Sequence, residues 1–183
     1  MDNGAGSYRR FLAGDDEGLA EIVREYKDGL ILYLNGYVRN LYIAEELAED
    51  TFFRLITKRP RFSKKSSFKS WLYAIGRNVA VDFVRRNSKQ ISVSAEGMEV
   101  LGKELSLEEA YIREESKAEV YKALSKLSVD YRNVLWLSFF EGFSNREVAK
   151  VMKKSDRQVK NLLYRAKQSL RSILEKEGFH YEK

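Results

Sequence analysis

Hydrophobic positions along the chain fall at helical spacing, and no stretch alternates convincingly as a strand would. Leu19, Ile22, Val23, Tyr26, Leu30, Tyr33, Leu34 and Tyr37 recur at steps of three and four, the stripe of one long amphipathic helix. A second helix carries Ala44, Leu47, Ala48, Thr51, Phe52 and Leu55 inward. It should end near Pro60, because the residue before a proline is pushed out of the helical region. A third is expected to start with Ser66 or Ser67 as its N-cap and to bury Phe68, Trp71, Leu72, Ile75 and Val79. These helices define a first domain over 8–88.

Periodicity then fades, and Ser, Gly and Glu dominate, so 89–110 reads as an acidic, flexible linker. Helix signals return at Ser106 and Glu109, which have the spacing of a capping box, and continue through Val120, Leu124 and Leu127. Ser128 caps the next helix, whose inward face is Tyr131, Val134, Leu135 and Phe139 and whose stop is Gly142. Ser144 and Glu147 form a further capping box ahead of Val148, Ala149 and Met152, and Lys153 and Lys154 break that helix. Ser155 caps a longer one with Val159, Leu163, Ala166 and Leu170 in a narrow arc. The expected fold is all-α: two small helical domains, the second, over 111–178, a helix-turn-helix.

The last helix gives this pattern a chemical meaning. Opposite its apolar arc stand Arg157, Asn161, Tyr164 and Gln168, flanked by Gln158, Lys160 and Arg165. Such side chains hydrogen-bond base edges or clamp phosphates, on an element of the right width for a major groove. A solvated helical hairpin or a partner-docking helix would share the same pattern.

Charge sharpens the picture because it comes in blocks. The net charge is +6, yet Asp15 to Asp50 has ten acidic residues against three basic, and Lys58 to Lys89 has ten basic against one acidic. Residues 90–116 then hold seven acidic against two basic, and Gly142 to Lys176 ten basic against three acidic. Two basic blocks separated by an acidic one suggest two contacts with a polyanion. In the first, Arg59-Pro60-Arg61-Phe62-Ser63-Lys64-Lys65-Ser66-Ser67-Phe68 is followed by Trp71, Tyr73, Arg77, Asn78, Arg85 and Arg86. Cations interleaved with aromatics suit melted nucleic acid, where phosphates need neutralising and unstacked bases need a surface. Trp71 is assigned to the core, on its stripe.

With 183 residues and 44% hydrophobic content, the chain can bury one ordinary core or two small ones. No apolar run approaches the ~20 residues of a membrane span, and Met1 to Ser7 lacks the character of a secretion signal. The chain has no cysteine, which excludes disulfides and thiolate metal sites and makes the cytoplasm the expected compartment.

These pieces, in order, resemble the extracytoplasmic-function group of sigma-70 family RNA polymerase sigma factors. Ala44-Glu45-Glu46-Leu47-Ala48-Glu49-Asp50-Thr51-Phe52-Phe53-Arg54-Leu55 is similar to the family's acidic polymerase-docking helix. Trp71 through Arg86 resembles its promoter-melting helix. Tyr131 to Leu135, Glu141 to Ala149 and Val159 to Lys167 follow its upstream-element reader. The chain departs from the family pattern at Ile43, Glu49, Arg157-Gln158 and Leu162, so no promoter sequence is carried over.

The resemblance implies contact with core RNA polymerase, through its β′ clamp and β flap, with Glu46, Glu49, Asp50, Phe53 and Arg54 at the docking helix. It implies reading of the minus-ten element by Arg61, Phe62, Lys64, Lys65, Phe68, Arg77, Asn78, Arg85 and Arg86. For the minus-thirty-five element the set is Ser155, Arg157, Gln158, Lys160, Asn161, Tyr164, Arg165 and Lys167. It also implies that an anti-sigma factor can sequester the chain. No cofactor, metal or catalytic residue is expected, nor membrane insertion.

The rival reading is a helix-turn-helix repressor or activator that works without being a polymerase subunit. It explains the last helices but gives no reason for the basic aromatic loop. A hydrolase is the weaker rival: Asp15, Asp16 and Glu17 suit a helix start, and His180 has no evident partner.

Overall fold

A computed structural model describes residues 3–63, 65–94 and 115–178, and among them all regular structure is helical. The first half contains α1 (Asn3–Leu12), α2 (Asp16–Val38), α3 (Leu41–Lys58) and α4 (Phe68–Ser94). The starts of α2, α3 and α4 each have a side-chain cap, as unpaired N–H groups at a helix start require. Asp15 Oδ1 accepts from the Glu17 N–H (3.1 Å) and Asn40 Oδ1 from that of Ile43 (3.1 Å). Ser67, rather than Ser66, caps α4: its Oγ accepts from the Ser70 N–H at 3.3 Å. Helix α3 closes on Arg59 in the left-handed conformation, directly before Pro60, as the proline argument requires.

The inward stripes of α2, α3 and α4 meet in one core. Ala44, Leu47, Ala48, Thr51, Phe52 and Leu55 are all buried, as are Ile22, Leu30, Leu34, Leu72 and Val79. Fully burying each large side chain stabilises the fold by about 1.5–3 kcal/mol. An aromatic cluster closes one end, with Phe68 and Trp71 (5.4 Å between centroids) packed against Tyr8 and Phe62.

The sequence reading did not find α1. Close approach at glycine holds this helix: a Cβ at Gly4 would lie 2.4 Å from Phe68 Cδ1. A Cβ at Gly18 of α2 would lie 2.3 Å from the Ser7 carbonyl oxygen. Helix α4 also runs past the boundary expected at 88, to Ser94. The start expected at Ser106 and Glu109, and His180, lie outside the described residues.

The second half contains α5 (Glu115–Ser125), α6 (Val129–Leu135), a π-helical turn over Trp136–Phe140, α7 (Asn145–Met152) and α8 (Asp156–Lys176). Ser128, Ser144 and Ser155 cap α6, α7 and α8, the last two with full capping boxes. The π-turn corrects one expectation. Its wider winding takes Phe139 off the inward face of α6, leaving it 58% exposed beneath the Lys167 ammonium, 4.9 Å from the ring centroid. The two halves touch: α4 packs on α7 and α2 on α6, and their buried residues form one cluster.

Candidate functional site

Helix α8 presents an exposed face of polar and basic side chains. Val159 and Ala166 are buried against the rest of the motif, which turns Arg157, Lys160, Asn161, Tyr164, Arg165, Lys167 and Gln168 to solvent. Tyr164 is 66% exposed, far more than a tyrosine that served packing. Two residues of the expected set have structural duties. Ser155 Oγ accepts from the Gln158 N–H (3.2 Å), while Gln158 Oε1 accepts from the Ser155 N–H (2.8 Å). Asp156 and Arg146, 3.9 Å apart, span the turn between α7 and α8.

The basic aromatic loop is built differently. Arg61 and Lys65 are exposed, Phe62 is half-buried on Phe68 and Trp71, and Lys64 lies outside the described residues. Phe68 has no exposed surface, so its ring supports the loop from below and is not available to stack on a base. Along α4, Arg77 and Asn78 are half-buried, while Arg85 and Arg86 are exposed near the end of the helix that carries Trp71. Arg85 lies 3.4 Å from Asp82. Burial raises the Tyr33 hydroxyl well above its usual pKa, and the Arg77 charge partly opposes that rise.

Elsewhere in the first half, α2, α3 and Phe83 of α4 line an open groove of about 710 Å³ that includes Lys27, Glu46, Glu49, Asp50, Phe53 and Ile56. Phe53 is 59% exposed there, an apolar ring set among carboxylates. Arg54, half-buried on α3, does not line the groove.

Sequence reasoning missed the contact between the halves. Arg132 of α6 is buried and, among the described residues, has no carboxylate partner and donates to main-chain oxygens. These are the carbonyls of Leu124 (3.0 Å), Ser125 and Leu127 (2.9 Å each) and, across the seam, Gly36 at the end of α2 (2.9 Å). Burial, helped by the nearby Arg39 charge, lowers its pKa to about 10. Lys69 of α4 pairs with Glu141 at 2.7 Å, and the Trp136 indole N–H donates to the same carboxylate at 2.9 Å. Ser67 donates to Glu147, Lys150 to the Lys65 carbonyl, and Tyr73 meets Phe143 edge-on at 5.4 Å. The residue types were visible, but no local spacing links positions so far apart.

With the geometry in place, comparison with known proteins is direct. Residues 22–90 match the family model for sigma-70 region 2, and residues 117–170 match that for sigma-70 region 4. Similar proteins include the ECF RNA polymerase sigma factors SigX and SigM of Bacillus subtilis. SigX is 29% identical over 82% of this chain and 80% of its own, and SigM is 26% identical over 84% and 93%. A solved structure of the sigma factor RpoE with the anti-sigma factor NepR, from Bartonella quintana, shares the fold. Its TM-score is 0.65 at 21% identity, covering 85% of this chain and 96% of that one. The chain belongs to the sigma-70 family of RNA polymerase sigma factors, in the extracytoplasmic-function group, and is a transcription initiation factor. Among the described residues no helix is long and apolar enough to cross a membrane.

Proposed function

We propose that the chain divides initiation between two modules, 8–88 and 111–178, joined by 89–110. The first docks on the β′ clamp of core RNA polymerase through Glu46, Glu49, Asp50 and Phe53, with Arg54 alongside. It holds the melted minus-ten strand on Arg61, Phe62, Lys64, Lys65, Arg77, Asn78, Arg85 and Arg86. The second meets the β flap and lays α8 in the major groove of the minus-thirty-five element. There Arg157, Asn161 and Tyr164 face base edges, and Lys160, Arg165 and Lys167 face phosphates. No catalytic step is assigned to the chain, and it works in the cytoplasm. An anti-sigma protein that covers these faces would keep it from polymerase.

The observation that carries this reading is the outward set of polar side chains on α8, in one chain with an exposed acidic and aromatic groove on α3. Charge explains the division: carboxylates suit a protein partner, whereas cations suit DNA. Extruding a base costs a few kcal/mol. Stacking of about 1–3 kcal/mol per base, together with phosphate contacts, offsets that cost. Tethering both modules to one polymerase raises their effective concentration, so neither needs tight binding alone. Run-off transcription with sigma-free core polymerase on a promoter library tests the proposal. New start sites with shared upstream and downstream elements are expected, and none would appear if the chain acted as a free-standing repressor or activator.

A further inference from the structure

We propose that Tyr8 is a positioning residue for the minus-ten loop, a role that rests on the sigma reading above. Its buried hydroxyl holds the Pro60 carbonyl and so fixes where Arg61 and Phe62 stand when a melted strand arrives. Tyr8 belongs to α1, which lies outside the residues, 22–90, that match region 2. The hydroxyl donates to the Pro60 carbonyl at 2.7 Å, and the residue is 1% exposed. Among the described residues, no hydrogen bond between main-chain groups ties 60–63 to the fold, so the tyrosine supplies what the backbone does not. Pro60 makes this one contact decisive. Its ring locks φ at about −65° and leaves it no N–H to donate. Arg59 before it is held in the left-handed conformation, at φ 41° and ψ 53°. With those angles set, the direction of the Pro60 carbonyl defines the remaining soft angle, and hence the line along which Arg61 leaves.

The hydroxyl is delivered by a firmly seated strut. Helix α1 lies on α2 through the close approach at Gly18, and Ser7 donates to Glu21 at 2.6 Å. The Tyr8 ring packs on Phe68 and Trp71, at 5.5 and 5.3 Å between centroids, the same two rings on which Phe62 rests. The Arg59 guanidinium lies over Phe11 of α1, 5.4 Å from the ring centroid. One short helix thus engages the loop at its root through Phe11 and at its main chain through Tyr8. Burial raises the Tyr8 hydroxyl to about 12, against the lowering effect of the Arg59 charge, so it remains a donor well above neutral pH. A loop set in advance is spared part of the ordering cost of receiving a strand.

Tyr8→Phe keeps the ring and removes only the hydroxyl. A spin label on Ser63→Cys, an exposed position in a chain without cysteine, reports the loop in the free full chain. Its spectrum should show faster motion once Tyr8→Phe is added, while far-ultraviolet dichroism stays unchanged. The unlabelled chain is then tested with core polymerase on promoters carrying each base in turn at every minus-ten position. On the preferred element Tyr8→Phe should start transcripts roughly two- to tenfold less often, the span of one net hydrogen bond. The loss should shrink on poorer elements, so that the preference flattens, with core affinity and minus-thirty-five preference unaltered. Unchanged label motion, or an equal loss on every element, would overturn the positioning role, because a merely destabilised chain lowers all promoters alike. Failure of every form to yield new start sites would instead overturn the sigma reading, and with it the promoter role of Tyr8, while the label would still report its hold on the loop.

Discussion

On α8 the cations project from a free-standing helix face, whereas in the loop before α4 Arg61 and Lys65 are exposed on a segment that the fold holds through other atoms. Arg157, Lys160 and Arg165 project from a helix that is capped at its start and anchored by Val159 and Ala166. The loop from Arg61 to Ser67 instead rests on Phe62 and Phe68, with the Lys65 carbonyl and the Ser67 hydroxyl engaged by α7. Duplex DNA offers its groove edges without rearrangement, so a rigid, exposed helix suffices. A melted strand instead needs cations and aromatic support held together on one surface, the role proposed above for this loop.

The strongest way to sharpen that contrast is to remove the support. Phe68→Ala should destabilise the first module by about 3–5 kcal/mol, as truncation of a buried phenylalanine does. Denaturant unfolding would read it, and a loss confined to promoter binding at full stability would show that the ring is exposed after all. Next, Arg157→Ala and Asn161→Ala should change sequence preference at the upstream element by about 1–3 kcal/mol, whereas Lys160→Ala should weaken every sequence alike. Selection from a randomised element distinguishes the two, and uniform losses from all three would remove α8 from the groove. A smaller change, on the order of tenfold in affinity for core enzyme, about 1.4 kcal/mol, is expected from Glu49→Lys with Asp50→Lys. A pull-down with unchanged affinity and intact helicity would dissociate the acidic groove from docking.

The smallest effect is the response to acid. Burial pushes the Glu147 carboxyl up, but hydrogen bonds from Ser67 and Ser144 outweigh it and hold the group below its usual pKa of 4.5. Its contribution is therefore fully present above that value and is lost as pH falls through the lowered one. Melting curves across this window should show a loss that Glu147→Gln lacks.

Helices whose stability comes from a regular apolar stripe and a local cap were legible in the chain. The α3 positions, the Pro60 stop and the caps at Ser128, Ser144 and Ser155 all depend on residues within one or two turns of one another. What stayed hidden depends on distant partners. Helix α1 is held by close glycine packing against α2, and Phe139 turns outward because the backbone winds wider over five residues. Gln158 carries a similar lesson for the site. Its place flanking the outward face of α8 fits a DNA contact, while its amide also closes a capping box. The seam of Arg132, Lys69 and Glu141 joins residues of opposite halves, and no periodicity announces such a pairing.

The π-turn over Trp136–Phe140 acts as a one-residue insertion in a helix that leads into the helix-turn-helix. Its closing hydrogen bond, from the Glu141 N–H to the Trp136 carbonyl at 3.1 Å, sets the angle at which everything downstream leaves α6. Deleting Ser138 would restore ordinary winding and, because the wide turn already absorbs its extra residue, would leave the downstream helices nearly in phase while removing the local bulge. The extra residue therefore decides which side chains face outward, Phe139 among them, more than it decides where the helices beyond it run.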